Sequence, residues 1–207
     1  MILYYTIEDT AEIEQVIERS RFIACAAPVG SREEAEAFFA VRRAAHKAAT
    51  HNVPAFVIGD KGQLQWASDD GEPQGTSGAP IVQMLVAEGV TNIAVMVTRY
   101  FGGIKLGTGG LVRAYTGAAR EALRKGRVCG MAEQISLVYR LDYTFHGKLK
   151  NMAQGGAFRL QREEFADKVV VELATEPENE ADVAAMISNL TAGAGELVSR
   201  REGLAKV

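Results

Sequence analysis

The order of apolar and polar residues predicts strands and helices in turn over the first part of the chain. Residues 11–29 alternate as two short strands, with Glu14 and Glu18 facing solvent. Residues 31–49 repeat at helical spacing, and Ser31 stands where an N-cap belongs. Carboxylates in the first turn and basic residues towards the other end match the helix dipole. We therefore expect two strands followed by a helix.

The next stretch predicts a hairpin and two further helices around a buried strand. Residues 51–68 predict a hairpin that turns at 60–62. Residues 80–89 predict a helix, and the strand over 91–101 is apolar enough to be buried on both faces. A glycine-rich loop then leads into a helix over 111–126.

Beyond Met131 the pattern starts again and predicts a second domain. Its order is strand, helix, strand, strand, helix, strand, which is the ferredoxin-like βαββαβ arrangement. These elements are predicted at residues 134–143, 145–155, 158–165, 168–175, 177–193 and 196–202. The sequence therefore predicts an α+β protein of two domains, residues 1–132 and 133–207, with the boundary near 130–134.

The composition is that of a globular protein, with 207 residues, 47% apolar and 24% charged. Cys25 and Cys129 lie far apart and form no CxxC motif, which indicates reduced thiols. The first residues lack the basic and apolar regions of a signal peptide, and no apolar run approaches the ~18 residues of a membrane span. We therefore expect a cytoplasmic protein that does not enter a membrane.

The basic residues are concentrated in one segment. The net charge of −3 argues against a protein that coats nucleic acid non-specifically, yet from Arg99 to Arg127 seven residues are basic and one is acidic. Arg113, Arg120, Arg124 and Arg127 share one face of the predicted helix, because they are spaced by seven, four and three residues. That face is either a solvated helix side or a ridge that binds a phosphate backbone.

Glycine is unusually dense in the loop before this helix, where it occupies five of the nine positions from Gly102 to Gly110. A glycine costs about 0.5–1 kcal/mol relative to alanine in regular structure, so the density needs a reason. A P-loop would need lysine where Thr108 stands, and a dinucleotide fingerprint would need glycine or alanine where Val112 stands. The loop therefore indicates either a generic anion contact at a helix N-terminus or close structural packing.

A cluster of carboxylates precedes the helix at 80–89. Asp69, Asp70 and Glu72 could hold Mg²⁺, but aspartate and glycine are also ordinary turn formers and no second cluster is evident. His51 has no recognisable triad, and we interpret it as a hydrogen-bonded structural histidine. We interpret Ser77 as the N-cap of the helix that follows. No catalytic residue, metal or cofactor is assigned.

Several motifs together resemble one known family. They are HKAATHNVPAFVIG, SDDGEPQGTSGAPI and VMVTRYFGGIKLGTGGLVRAYTGAAREAL, with RSRFIA upstream. Over residues 15–125 the chain resembles the YigZ/IMPACT family, and residues 133–207 resemble the extra C-terminal domain of its bacterial members. The matching motif positions are Asp69, Asp70, Gly71, Glu72, Pro73, Gly75, Arg99, Tyr100, Gly102, Gly103, Lys105, Gly107, Gly110 and Arg113.

The resemblance implies a first domain of the ribosomal-protein-S5 domain-2-like type and a ferredoxin-like second domain. This pair is similar to two consecutive domains of elongation factor G that contact RNA in the ribosome, and IMPACT itself resembles a translational regulator. The sequence departs from the family at Gln74, Ser77 and Ala79, where serine, alanine and lysine are more usual. The missing lysine weakens the case for an anion at the start of that helix.

Our leading hypothesis is a non-enzymatic protein that binds RNA or the ribosome and acts in translation, without reading DNA sequence. The expected phosphate contacts are Arg99, Lys105, Arg113, Arg120 and Arg124. One alternative is a hydrolase-type enzyme with a pocket between Asp69–Thr76 and Gly102–Gly110, and another is a module that binds a protein partner in translation. The residues of the possible pocket are His51, Asp69, Asp70, Glu72, Thr76, Tyr100, Gly102, Gly103, Gly107 and Gly110.

Overall fold

The computed structural model describes all 207 residues, which fold as two compact units. The N-terminal unit comprises Ile2–Met131 with Lys206–Val207, and the C-terminal unit comprises Met1 with Ala132–Ala205. Each unit contains a sheet with helices packed on it and its own hydrophobic core. The predicted α+β class is therefore confirmed. No helix combines the length and the apolar composition needed to cross a bilayer.

The elements alternate as the sequence pattern predicts. In chain order they are β1 (Ile2–Ile7), β2 (Ala11–Ile17), β3 (Ser20–Pro28), α1 (Arg32–Ala45), β4 (His51–Ile58), β5 (Leu64–Ala67), α2 (Gly78–Ala87), β6 (Ile93–Tyr100), α3 (Gly107–Gly126), β7 (Val128–Leu141), α4 (Tyr143–Ala153), β8 (Arg159–Phe165), β9 (Val169–Thr175), a 3₁₀ turn (Pro177–Asn179), α5 (Glu180–Thr191) and β10 (Glu196–Lys206).

The sheet of the N-terminal unit has the order β2-β3-β6-β4-β5, and all its neighbouring strands are antiparallel. Helices α2 and α3 cover one face, and their side chains pack with Phe22, Val53 and Val97. Helix α1 covers the other face through Phe39, which packs with Phe56. Strands β4 and β6 are buried on both faces, which explains their nearly continuous apolar sequence.

Helix α1 begins as the sequence predicts. The Ser31 side chain accepts a hydrogen bond from the Glu34 backbone N–H at 3.3 Å, and the first turn carries Glu33 and Glu34. The basic residues Arg42 and Arg43 lie in the last turn. The predicted N-cap is therefore confirmed.

The C-terminal unit has the strand order β10-β7-β9-β8. Counted within the unit, this is the order 4-1-3-2 of the ferredoxin-like arrangement, so that prediction is confirmed. Leu149 of α4 and Val183 and Ile187 of α5 are buried against Leu137 and Leu173 of the sheet. The sheet face that carries both helices therefore holds the core of this unit.

Two features of the strands were not predicted from the sequence. Strand β1 was not predicted, because only Thr6 and Ile7 of its six residues are buried and the sequence shows no alternation. Strand β7 begins at Val128 rather than at residue 134, and it runs without interruption through the region where we placed the boundary. Strand β1 is mostly exposed, whereas Cys129 and Ala132 at the start of β7 are buried but belong to a stretch of small residues without clear alternation.

Candidate functional site

Glu72 is the centre of a buried polar network in the N-terminal unit. It lies in the loop between β5 and α2, and its side chain is only 3% exposed. Its Oε1 accepts hydrogen bonds from Arg99 Nη1 of β6 and from the Tyr115 hydroxyl of α3, both at 2.7 Å. The Nε2 of His51 lies 3.8 Å from the same oxygen. The network therefore ties the loop to the sheet and to α3.

Tyr115 acts in this network as a hydrogen-bond donor. Burial raises the pKa of Tyr115, and the hydrogen bond to the Glu72 carboxylate raises it further. The phenol therefore stays protonated and keeps donating to Glu72. Its ring packs edge-on against Phe22, with centroids 5.3 Å apart.

Arg99 is an interior residue, which corrects its predicted role as a surface phosphate contact. Its side chain is 5% exposed, and a guanidinium buried to this degree needs a charge partner, which Glu72 supplies. Its Nη2 donates to Ser20 Oγ at 3.3 Å. The guanidinium carbon lies 5.5 Å from the ring centroid of Phe22 and 5.4 Å from that of Phe101. Arg99 therefore holds its neighbours in position and is not available to contact a ligand.

Asp69 caps the turn that leads into α2. Its Oδ2 accepts from the Gly75 N–H at 2.7 Å, and its Oδ1 accepts from the N–H groups of Ser77 and Gly78 and from the Ser77 hydroxyl at 2.7 Å. Burial raises the pKa of Asp69, but these hydrogen bonds outweigh burial, so its pKa lies below the ordinary value. Asp69 therefore stays ionised, and its hydrogen bonds fix the conformation of the loop.

Ser77 does not cap α2 with its side chain, which corrects our interpretation. The residue stands at the N-cap position, but its side chain makes no capping bond to the helix. Its hydroxyl instead donates to Asp69, and Asp69 accepts from the N–H groups at the helix start. Pro80 occupies the third position of α2 and has no N–H, so one of the two donors that an N-cap side chain normally accepts from is absent.

Asp70 and His51 join the loop to the start of β4. The Asp70 Oδ2 accepts from the Asn52 backbone N–H at 2.6 Å, and the Asp70 carbonyl oxygen lies 2.8 Å from His51 Nδ1. A carbonyl only accepts, so His51 carries its proton on Nδ1 when the ring is neutral. His51 is therefore hydrogen-bonded as a structural residue.

The three carboxylates of this loop face different partners. Asp69 faces the turn, Asp70 faces β4 and Glu72 faces Arg99. No group of three histidine, cysteine, aspartate or glutamate side chains is arranged to hold a metal ion. Thr76 is buried, and its hydroxyl donates to the Pro73 carbonyl at 2.6 Å. The polar groups that a hydrolase would use are thus engaged in maintaining the loop.

The glycines at the junction of β6 and α3 are needed for different structural reasons. A Cβ on Gly102 would lie 2.0 Å from the Arg19 carbonyl oxygen, so only glycine fits against the β2–β3 turn. Gly103 and Gly107 adopt the left-handed region, with φ of 88° and 70°. A Cβ on Gly110 would lie 3.1 Å from the Leu106 Cβ. Close packing therefore explains Gly102, and conformation explains Gly103 and Gly107.

Lys105 and Arg113 line one open groove of about 490 Å³ beside the start of α3. Ile17, Glu18 and Gly110 also line it. Both basic residues are exposed, and neither has an ion-pair partner, whereas the other arginines of this segment are paired. The groove therefore combines two available cations with one acidic side chain.

The start of α3 adds partial positive charge to this groove. Leu106 stands at the N-cap position and provides no side-chain cap, and the first turn contains no acidic residue. The leading N–H groups of this 20-residue helix are therefore not satisfied by a side chain. The Arg113 Nη1 would lie 3.5 Å from a Cβ on Gly109, which places its guanidinium over the first turn.

The remaining arginines of the predicted ridge are paired with carboxylates. Arg120 Nε contacts Glu88 at 2.8 Å, and Arg124 Nη1 contacts Glu121 at 3.0 Å. Arg127 contacts Glu8 and Asp9 at the other end of the helix. The ridge is thus partly neutralised along its length, and the unpaired charge is concentrated at its N-terminal end.

Tyr100 is the last residue of β6. Its hydroxyl is 3.0 Å from His46 Nδ1, and the guanidinium carbon of Arg21 lies 5.3 Å from its ring centroid. Burial lowers the pKa of His46, and the nearby Arg42 guanidinium lowers it further. A neutral His46 therefore supports Tyr100 as a hydrogen-bond partner.

Sequence reasoning missed two residues of the network, Tyr115 and Ser20. Tyr115 was assigned to the apolar face of α3, although a buried tyrosine hydroxyl needs a polar partner, and that requirement was the available signal. The Ser20 Oγ, which also receives the Gly102 N–H at 3.2 Å, had no signal in the sequence because its partners are 79 and 82 residues away.

Comparison with protein families gives two matches. The Impact N-terminal domain matches residues 18–123, and a domain of unknown function, DUF1949, matches residues 140–194. The IMPACT family member YvyE of Bacillus subtilis (strain 168) is 36% identical over 194 residues, which cover 94% of this chain and 89% of the relative. The IMPACT family member YigZ of Escherichia coli (strain K12) is 46% identical over 115 residues, 55% of this chain and 56% of YigZ.

One solved structure has a similar fold over nearly the whole chain. A crystal structure described as that of an hypothetical protein superimposes with a TM-score of 0.61 and 30% identity, and covers 95% of this chain and 96% of the other. The two-domain translational regulator Yih1 is 23% identical over 57% of this chain and 46% of that chain. Its TM-score of 0.34 is too low to indicate a shared fold.

Proposed function

The chain belongs to the IMPACT family, and on that premise we propose that it is a non-enzymatic protein that binds structured RNA or the ribosome and acts in translation. One observation carries the proposal. Lys105 and Arg113 line the same open groove at the uncapped start of α3, and neither is paired with a carboxylate.

Separating a cation from a carboxylate partner costs free energy, and Lys105 and Arg113 have no such partner. A phosphate that approaches Lys105 or Arg113 does not first have to break an ion pair, so its Coulomb attraction is not offset. The free N–H groups of α3 add donors that suit a phosphate oxygen. The groove is therefore the place in the N-terminal unit where a phosphate backbone gains most.

Arg120 and Arg124 continue the same face as secondary contacts. Both are partly or fully exposed, and exposed ion pairs of this kind contribute only about 0–1 kcal/mol. A phosphate can therefore displace Glu88 or Glu121 at little cost. Arg99 is excluded from the binding surface by its burial.

The charge of the whole chain suits local rather than general binding. With a net charge of −3 the protein repels a polyanion at long range, and the attraction is confined to the groove and the ridge. We therefore expect binding that is weak at physiological salt unless shape also matches, as it can on a structured RNA or a ribosome.

The two alternatives are less well supported. An enzyme would need a nucleophile or a base with freedom to react, but Asp69, Glu72 and Thr76 are all committed to the loop. A protein-binding module predicts a partner that stays bound after nuclease treatment. The same purification with and without nuclease distinguishes it from an RNA binder.

The test is a titration of an RNA hairpin, and of purified ribosomes, over a range of salt concentrations. Wild type should bind at low salt, and replacing both Lys105 and Arg113 with alanine should make the salt slope shallower by roughly 1.4 to 1.8, or about 0.7–0.9 per lost contact. The matched control is Lys61→Ala, an exposed lysine in the β4–β5 turn, which should leave the slope unchanged. Absence of binding at low salt, or equal slopes in the double variant and wild type, would contradict the proposal.

A further inference from the structure

Phe101 presents its ring to solvent, four residues before Lys105, which lines the basic groove. Of the eight phenylalanines in the chain, Phe22, Phe39, Phe56 and Phe158 are among the largest fully buried side chains, whereas Phe101 is 46% exposed. It directly follows β6 and precedes the glycine loop. Nearly half of this large aromatic side chain is therefore accessible to a ligand.

The backbone that carries this ring is fixed on both sides. The Phe101 N–H donates to Thr50 Oγ1 at 3.0 Å, and the Gly102 N–H donates to Ser20 Oγ at 3.2 Å. Gly102 also packs so closely on the Arg19 carbonyl that no side chain fits between them. Phe101 is therefore held in place rather than exposed by a mobile loop, and a ligand that uses the ring has little order to impose.

The ring is also supported from within. The guanidinium carbon of Arg99 lies 5.4 Å from its centroid, and Arg99 is itself fixed by Glu72 and Ser20. The buried network and the exposed ring are thus one assembly. The Glu72 and Arg99 side chains of the network are buried, but Arg99 contacts the Phe101 ring and supports its orientation.

Basic residues are neighbours of Phe101 in the chain and in the sheet. Arg21 is the register partner of Tyr100 but is paired with Glu14 at 2.7 Å, so it is not an available cation. Lys105 follows Phe101 four residues later, within about 14 Å of chain, and shares the groove with Arg113. The combination of one exposed, supported aromatic ring with two unpaired cations suits a ligand that is both flat and anionic.

We propose that Phe101 is a stacking surface for an unpaired RNA base, with Lys105 and Arg113 holding the neighbouring phosphates. The proposal rests on the proposed function, because it assumes that the chain binds RNA. A base inside a duplex is already stacked and cannot reach the ring, so the RNA recognised here is single-stranded, looped or bulged. Every base has a π-face, so this contact selects for strandedness rather than for sequence.

The experiment compares Phe101→Leu, Phe101→Trp and wild type on two RNAs of the same sequence, a single strand that carries 2-aminopurine and a blunt duplex. We expect Phe101→Leu to bind the single strand roughly tenfold more weakly and the duplex unchanged, because stacking on one aromatic residue accounts for a factor of that order. Phe101→Trp should retain single-strand binding and the quenching of 2-aminopurine. The salt slope should stay the same in all three proteins, because no phosphate contact changes.

The matched control is Phe165→Leu, which removes a ring that is 58% exposed in the C-terminal unit. It should bind both RNAs as wild type does, and thermal melting should confirm that each variant is folded. Equal single-strand affinity in Phe101→Leu and wild type would overturn the stacking proposal and leave the proposed function intact, and so would equal weakening on both RNAs. If wild type bound neither RNA at low salt, the stacking proposal would fall, and absence of binding to the hairpin and to ribosomes as well would overturn the proposed function. Retention of a nuclease-resistant protein partner by wild type but not by Phe101→Leu would overturn the RNA assignment.

Discussion

Glu72 receives hydrogen bonds from residues that are 27 and 43 positions away in the chain. A buried carboxylate is costly without such partners, and a buried guanidinium is costly without the carboxylate. Each group is thus tolerated in the interior because the other is there. The result is a loop whose position depends on a few polar contacts rather than on apolar packing.

Removing the carboxylate should therefore destabilise the protein strongly. Glu72→Ala leaves Arg99 as a buried charge without a partner, and we expect a loss of about 3–5 kcal/mol in the free energy of unfolding. Tyr115→Phe removes one hydrogen bond to a charged group and should cost less, about 1.5–3 kcal/mol. Urea denaturation measures both values. The control is Glu36→Ala, which breaks an exposed pair with Arg32 and should cost less than about 1 kcal/mol; an equally small effect of Glu72→Ala would refute the argument.

Asp69 should make stability depend on pH in acid. Its folded pKa is depressed below the unfolded value of about 3.9, so its ionised form stabilises the fold above that pH and the stabilisation is lost as the pH falls through the folded pKa. Asp69→Asn should thus lower the free energy of unfolding at pH 7, by about 0.5–2 kcal/mol as for a lost cap. The difference from wild type should shrink below about pH 4. A difference that stays constant from pH 7 to pH 3 would show that ionisation of Asp69 does not matter.

The loop between β6 and α3 shows at the level of elements how glycine serves two purposes. Gly102 lets the chain pass against the β2–β3 turn, whereas Gly103 and Gly107 give the conformations that turn the chain into α3. Together they connect the end of β6 to the start of α3. Phe101 is exposed just after β6, and Lys105 and Arg113 line the groove beside the start of α3.

Alanine substitutions at Gly102, in this loop, and at Gly117, within α3, should change the free energy of unfolding in opposite directions. Gly102→Ala would place a Cβ 2.0 Å from a backbone oxygen of Arg19, and the displaced turn should cost about 1–3 kcal/mol or more. Gly117→Ala lies within α3 with no atom near the new Cβ, and should stabilise by about 0.5–1 kcal/mol. Thermal or urea unfolding of the two variants tests both signs. Destabilisation by Gly117→Ala, or tolerance of Gly102→Ala, would contradict the packing argument.

At the scale of the whole molecule, the net charge and the proposed binding surface have opposite signs. The chain carries a net charge of −3, but ion pairs neutralise most of the arginines of the basic segment. Lys105 and Arg113, which have no carboxylate partner, lie at the groove beside the start of α3. The basic excess counted in the sequence is therefore larger than the number of unpaired cations on the surface.

The chain holds three separate hydrophobic clusters, two of them on opposite faces of the N-terminal sheet. One of these two surrounds Tyr115 and Phe22, and the third cluster surrounds Leu137 and Leu173 in the C-terminal unit. The residues of the proposed site belong to the N-terminal unit. The proposed contacts are therefore built on one unit, and the variants above are confined to that unit, except for Phe165→Leu.

Much of the fold was determined by local pattern alone. The hairpin β4–β5, the capped start of α1 and the ferredoxin-like order of the C-terminal unit follow from periodicity, turns and caps, because each residue's burial there depends on its own element. The basic segment and the glycine loop were also visible in the sequence. Strand β1 was not, because its residues are mostly exposed.

The tertiary structure decided which of those residues are available. Arg99 and Arg113 look alike in the sequence, but Arg99 is buried against Glu72 while Arg113 is free in the groove. Ser77 stands where a cap belongs, yet Asp69 does the capping. In each case the outcome depends on a partner brought close by folding, and the cost of burying a charge or a donor without a partner selects that arrangement. The sequence determined where the basic and acidic residues stand in the chain, and the fold determined which of them are paired in the interior and which are exposed.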